Sequence, residues 1–104
     1  MQEIMNEIIM FQKERDWKKF HTPENLAKSI SIEAAELLEH FQWGKEYDIC
    51  EVADELADVL IYSFYMADAL DLDIKNIIFN KIEKNAMKYP VDKSKGNAKK
   101  YTEF

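Results

Sequence analysis

The chain has 104 residues, of which 47% are hydrophobic and 33% charged, and a net charge of −6; it reads as one domain over 1–104, folded, with a core modest enough that association would help it. The acidic balance argues against a nucleic-acid partner, which needs a basic footprint. A lone cysteine, Cys50, excludes an intramolecular disulfide and a multi-cysteine zinc site, and without a signal peptide or an apolar run of bilayer length the expectation is a cytoplasmic protein with no membrane partner.

The first predicted helix covers Gln2 to Lys19, with Ile4, Ile8 and Phe11 on its apolar stripe. Thr22-Pro23 is a start signal, a hydroxyl cap followed by a residue whose missing N–H costs nothing in the first turn. The second helix therefore runs from Pro23 to Trp43, where Gly44 is placed to end it. Asp48 offers the next cap, for a helix from Ile49 to Leu70, and Asp73 caps a fourth that reaches Lys88. Tyr89-Pro90 stops it, because a residue before proline is pushed out of helical geometry. The tail from 91 to 104 reads as irregular. No stretch alternates as a strand does, so the fold class is all-α, a four-helix bundle-type protomer with short connections.

Two of these helices carry acids where apolar residues are expected. In "IEAAELLEHFQW", Glu33 and Glu36 stand three apart beside the stripe formed by Leu26, Ile30, Ala34, Leu37 and Phe41. In "EVADELADVLIY", Glu55 and Asp58 repeat the spacing, with Glu51 and Tyr62 extending the same stripe. Residues three or four apart share a helix face. If the two helices pack as an antiparallel hairpin, both acidic pairs face the seam. Four carboxylates cannot all ionise there without compensation, and a hard cation supplies it. An all-oxygen ligand set suits Mg2+, for which Mn2+ can substitute, and open coordination positions suit substrate phosphates. A di-iron site is excluded, because neither His21 nor His40 follows a Glu-x-x spacing. For a single acidic pair, a solvated helix face would be the simpler reading.

Other residues point to a nucleotide less directly. Trp17 sits among Arg15, Asp16, Lys18 and Lys19, a polar setting for a core tryptophan, and an indole face can stack on a base. Trp43 follows an apolar helix face and can equally fill a core. His21 can serve the pocket or help cap the second helix. Lys81, Asn85 and Lys88 share one face of the fourth helix and, taken alone, look solvated.

The spacing Glu33-x-x-Glu36 with Glu55-x-x-Asp58 resembles that of the MazG-like all-α nucleoside triphosphate pyrophosphohydrolases. "RDWKKFHTPENL", "FQW", "DVLIY", Lys88-Tyr89-Pro90 and "KYTE" resemble the dCTP pyrophosphatase branch in particular, in order along nearly the whole chain. The resemblance implies metal ligation by Glu33, Glu36, Glu55 and Asp58, with Glu33 or Glu36 activating the attacking water. It implies that Trp17, Trp43 and His21 surround the base, and that Tyr62, Lys81, Asn85 and Lys88 serve the sugar and phosphates. It further implies cleavage between the α and β phosphates of dCTP or a modified dCTP, in a homotetramer built as a dimer of dimers, with a dimer as the alternative assembly, for cleansing of the nucleotide pool. One departure stands out: Ile8 occupies a position where the mammalian members of the branch carry a histidine, which puts strict cytosine selectivity in question. The alternatives are a broad-specificity triphosphate or dUTP hydrolase, and a non-catalytic helical interaction module.

Overall fold

A computed structural model describes residues 1–104, and every regular element in it is helical. In chain order these are α1 (Gln2–Glu14), α2 (Pro23–Glu39), α3 (Ile49–Ala69), α4 (Ile74–Lys88) and α5 (Val91–Ser94), with single 3-10 turns at Lys18–Phe20 and Tyr101–Glu103. The all-α expectation holds, and the four long helices follow in the expected order. None is long and apolar enough to cross a membrane. The chain forms two compact units, Met1–Leu72 and Asp73–Phe104.

The helix starts obey local chemistry. Thr22, with extended backbone, accepts from the Asn25 N–H at 3.3 Å while Pro23 opens α2. Asp48 accepts from the N–H groups of Cys50 and Glu51, and Asp73 accepts from that of Asn76. The ends are less local, and two differ from the sequence reading. The first helix stops at Glu14, not Lys19, because Asp16 turns left-handed (φ 53°). The Trp17 N–H then reaches the Gln12 carbonyl and the Asp16 N–H the Lys13 carbonyl, the paired bonds of a Schellman cap. The same device, with Asp71 at φ 55°, closes α3. The second helix ends at Glu39, not Trp43, because Phe41 and Gln42 bond to carbonyls three residues back and tighten the last turn. Gly44, at φ 124°, redirects the chain beyond that turn.

Within the first unit, α2 and α3 pair closely and α1 lies against α3. His40, at the end of α2, lies 3.8 Å from Glu51 in the first turn of α3, and His21, just before α2, meets Tyr62 and Tyr65 far along α3. The pair is therefore antiparallel. Leu26 is completely enclosed, with Tyr65 and Ala67 nearly so. The Tyr65 hydroxyl donates to the Ile8 carbonyl at 2.7 Å and pins α1 to α3.

In the second unit, the tail contains α5 and the Tyr101–Glu103 turn where an irregular segment was expected. Tyr89 meets Tyr101 and Phe104 edge to face, with centroids about 6 Å apart. Lys88 Nζ stands 4.9 Å from the Tyr101 ring centre. The "KYP" and "KYTE" segments of the sequence are thus neighbours in this unit.

Candidate active site

The seam of the α2–α3 hairpin collects the acids. Carboxylate oxygens of Glu33, Glu55 and Asp58 all lie within 4.8 Å of one another. Glu36, one turn along α2 from Glu33, interacts with both Glu33 and Glu55. With the carboxylates ionised, Glu33 Oε2 and Glu55 Oε2 are buried and have no donor to accept from. Buried acceptors without a partner are costly, so such a cluster must take up protons or a cation.

The protonation behaviour follows from that shortage. The Glu33 carboxyl is pushed up to about 7, first by burial, then by sharing a proton with Glu36 and Glu55, then by their charge. Glu55 is raised too, chiefly by burial and by the nearby charges, with its hydrogen bond to Glu33 acting in the opposite direction. The Tyr62 phenol is raised by burial and by the charges of Glu33, Asp58 and Glu36. Glu51 stands apart from this cluster, paired with His40.

A cavity of about 450 Å³ adjoins the cluster and shares Asp58 with it. Its walls are otherwise Glu7, Ile8 and Phe11 from α1, Trp17 and His21 from the α1–α2 connection, and Ile61, Tyr62 and Tyr65 from α3. The Schellman cap explains how Trp17 arrives there. By turning the chain back it brings the indole edge-on to Phe11 (centroids 5.7 Å apart), while the Arg15 guanidinium covers the Phe11 ring at 3.5 Å. His21 lies 6.3 Å from Trp17, 6.1 Å from Tyr62 and 5.0 Å from Tyr65, ring centre to ring centre. Burial lowers the His21 pKa, which keeps the imidazole neutral.

Trp17, His21, Tyr62 and Asp58 are thus brought together at one cavity, with Glu33, Glu36 and Glu55 beside it. Trp43 is not among its walls. It projects from the α2–α3 connection, 91% exposed. Lys81, Asn85 and Lys88 lie on α4, in the second unit. Sequence reading did not single out Glu7, Phe11, Ile61 and Tyr65 as cavity walls, although a signal was available. Glu7, Ile8 and Phe11 fall on one face of α1, and Asp58, Ile61, Tyr62 and Tyr65 step along α3 by three, one and three.

Comparison with known proteins gives a consistent family. The MazG-like family model matches residues 28–104. The chain is 36% identical over 104 residues to dCTP pyrophosphatase 1 of Rattus norvegicus, covering 90% of this chain and 61% of that protein. It is 33% identical to dCTP pyrophosphatase 1 of Homo sapiens over 90% of this chain and 61% of that one. It therefore spans about three fifths of the length of these mammalian relatives. A crystal structure of a pyrophosphatase from Archaeoglobus fulgidus superposes with a TM-score of 0.80 at 43% identity, covering 86% of this chain and 92% of that one.

Proposed function

This chain belongs to the MazG-like family, and from that premise we propose that it hydrolyses a nucleoside triphosphate to the monophosphate and pyrophosphate, with dCTP or a base-modified dCTP as its substrate. The observation that carries this reading is the sharing of Asp58 between the acidic seam and an aromatic-walled cavity. A base seated against Trp17 and His21 would direct its phosphates toward the carboxylates. Anionic phosphates do not approach such a cluster unless a cation intervenes.

The donor set fits Mg2+, with Mn2+ as a substitute. It is all oxygen, and two of those oxygens are buried without a partner. Glu33, Glu55 and Asp58 would hold the ion, with Glu36 completing the acidic set. When bound, the ion neutralises charge that builds on the departing pyrophosphate. Glu36 stands outside the closest trio and is our assignment for the base. Its carboxylate takes a proton from a water as the water oxygen bonds to the α-phosphorus. The bond from that phosphorus to the α–β bridging oxygen breaks, and its electron pair leaves on pyrophosphate. Trp17 and Phe11 offer flat surface to the base, and Tyr62 joins the cavity to the seam. Lys81, Asn85 and Lys88 are proposed to hold phosphate oxygens.

The working form is proposed to be a homotetramer, a dimer of dimers, with Trp43 meeting the base across a subunit boundary. Ile4 and Met10 on α1 and Leu38 on α2 support association, since all are exposed apolar side chains. Light scattering that finds an active monomer at micromolar concentration would refute it.

A second reading, broad specificity for triphosphates including dUTP, is favoured by one observation. Ile8 contributes an apolar wall where a donor or acceptor would read the base more strictly. A panel of standard and modified nucleoside triphosphates, assayed with Mg2+ and resolved by ion-exchange chromatography, separates these outcomes. A dCTP-type preference in kcat/KM supports the first, and equal values across bases the second. No monophosphate and pyrophosphate from any substrate would sink both.

A further inference from the structure

Gln12 is the only polar residue fully inside the protein, 3% exposed, and it does not itself line the cavity. It stands behind His21. Its side-chain Nε2 donates to His21 Nδ1 at 2.7 Å, and its backbone carbonyl accepts the Trp17 N–H at 3.0 Å. One residue therefore seats two walls of the pocket.

The orientation of the Gln12 amide follows from its second polar atom. Oε1 is buried with no partner. Turning the amide over would put the nitrogen in that position and leave both its hydrogens unpaired. Orphaned N–H groups are rarer than under-satisfied carbonyl oxygens, so the donating orientation is the stable one. With Nδ1 accepting, a neutral His21 must carry its proton on Nε2. That nitrogen has no hydrogen-bond partner in the protein and is not sealed from solvent, while its ring forms part of the cavity wall.

We propose that Gln12 is a positioning residue that locks His21 in the Nε2–H tautomer, so that the cavity presents a hydrogen-bond donor to its bound base. The site then favours a ring edge that accepts, as N3 and O2 of cytosine do, over one that places an N–H there, as N3 of uracil or thymine does. This deepens the proposed function and rests on the cavity being the base site.

Long-range proton–nitrogen correlation spectra of the intact protein show which ring nitrogen carries the proton. There are only two histidines, so a His40→Asn variant assigns the signals. We expect Nε2–H in the wild type. Gln12→Glu has a side chain that can only accept when ionised, and should move the proton onto Nδ1. Gln12→Met keeps the length, removes the donor, and should give a mixture of tautomers. Gln12→Glu should raise KM for dCTP about five- to tenfold with kcat little changed, the loss expected for one hydrogen bond. Gln12→Met should raise it less, by about the inverse of the fraction that keeps Nε2–H. Their preference for dCTP over dUTP should narrow in step. A wild-type spectrum with the proton on Nδ1 overturns the proposal whether or not the protein hydrolyses nucleotides. So does a Gln12→Met protein that keeps both the Nε2–H tautomer and the wild-type KM. An Nε2–H wild type that shifts in Gln12→Glu supports the tautomer lock even if no triphosphate is hydrolysed, and that inactivity would count against the proposed function alone.

Discussion

The middle of the α2–α3 hairpin and its cavity end face opposite predicaments. In the middle, Glu33, Glu36, Glu55 and Asp58 crowd together with buried oxygens that nothing satisfies. At the cavity end, the polar groups are mostly matched: Tyr65 to the Ile8 carbonyl, His21 to Gln12, and the Trp17 N–H to the Gln12 carbonyl. The first region is costly until something binds, and the second is rigid beforehand. A pocket made to hold a flat ring profits from rigidity, whereas a seam made to hold an ion profits from unmet need. The contrast assigns chemistry to one region and recognition to the other.

The hardest test of that division is Glu36→Gln. It preserves shape and removes one charge from the crowded region. We expect kcat to fall by about 10²–10⁴-fold, the range for losing a positioned acid or base. The metal-free protein should melt no earlier than wild type, because a repulsive charge has gone. Full turnover with Mg2+ as sole metal would place the chemistry elsewhere.

The two tryptophans sharpen the recognition side. Trp17 is held by the α1 cap, by Phe11 and by the cavity, and Trp43 stands 91% exposed. Stacking on an aromatic ring is worth about 1–3 kcal/mol per base. Trp17→Ala should therefore raise KM by about 5- to 150-fold with kcat nearly constant, and Trp17→Phe should recover much of the loss. If Trp17→Ala leaves KM alone and only lowers the melting temperature, the indole is structural. Trp43→Ala distinguishes a site within one chain from one completed across subunits. A rise in KM there, with the fold intact, supports the second.

These same regions differ in how far the sequence reveals them. The acidic seam is legible because three-residue spacing on consecutive helices fixes both pairs to one face, and the caps at Thr22, Asp48 and Asp73 are legible because their chemistry spans only three residues. Two helix ends were not legible: Asp16 adopts left-handed geometry where a glycine would have signalled it, and α2 tightens before Gly44 without a breaker, whereas Tyr89-Pro90 marked the end of α4 correctly. The cavity's wall residues share helix faces that local spacing shows, but that α1 lies against α3 and brings those faces together is a tertiary fact that no local pattern contains. Gln12 lies deepest in this sense: a glutamine flanked by Phe11 and Lys13 gives no sign of burial until His21 is folded against it.

Tyr65→Phe probes the rigid region with a smaller change. The Ile8 carbonyl keeps its bond within the helix, so only the hydroxyl contact is lost, at a cost of about 1 kcal/mol. For a chain of this size the melting temperature should drop by about 4–8 °C. A drop of under a degree, measured calorimetrically, would show that α1 is held on α3 by its apolar contacts alone.

The smallest effect expected is the pH dependence of the metal-free seam. The Glu33 carboxyl rises from its ordinary 4.5 to about 7 on folding, so the folded state holds that proton more tightly than the unfolded one. Its contribution to stability is complete below pH 4.5 and is lost as pH climbs to about 7. Glu55, raised as well, adds to the same slope. His21, whose pKa is lowered, slopes the other way, so the seam is best isolated by comparison with Glu33→Gln. Relative to that variant, the metal-free wild type should lose a few degrees of melting temperature between pH 5 and 8, an effect kept small by partial solvent screening. Added Mg2+ competes with the protons, so its stabilising shift should be slight at pH 5 and larger at pH 8. An equal shift at both pH values, or a metal-free difference of opposite sign, would mean that the carboxylates are already satisfied. The contrast between an unmet seam and a matched cavity would then fail at its first premise.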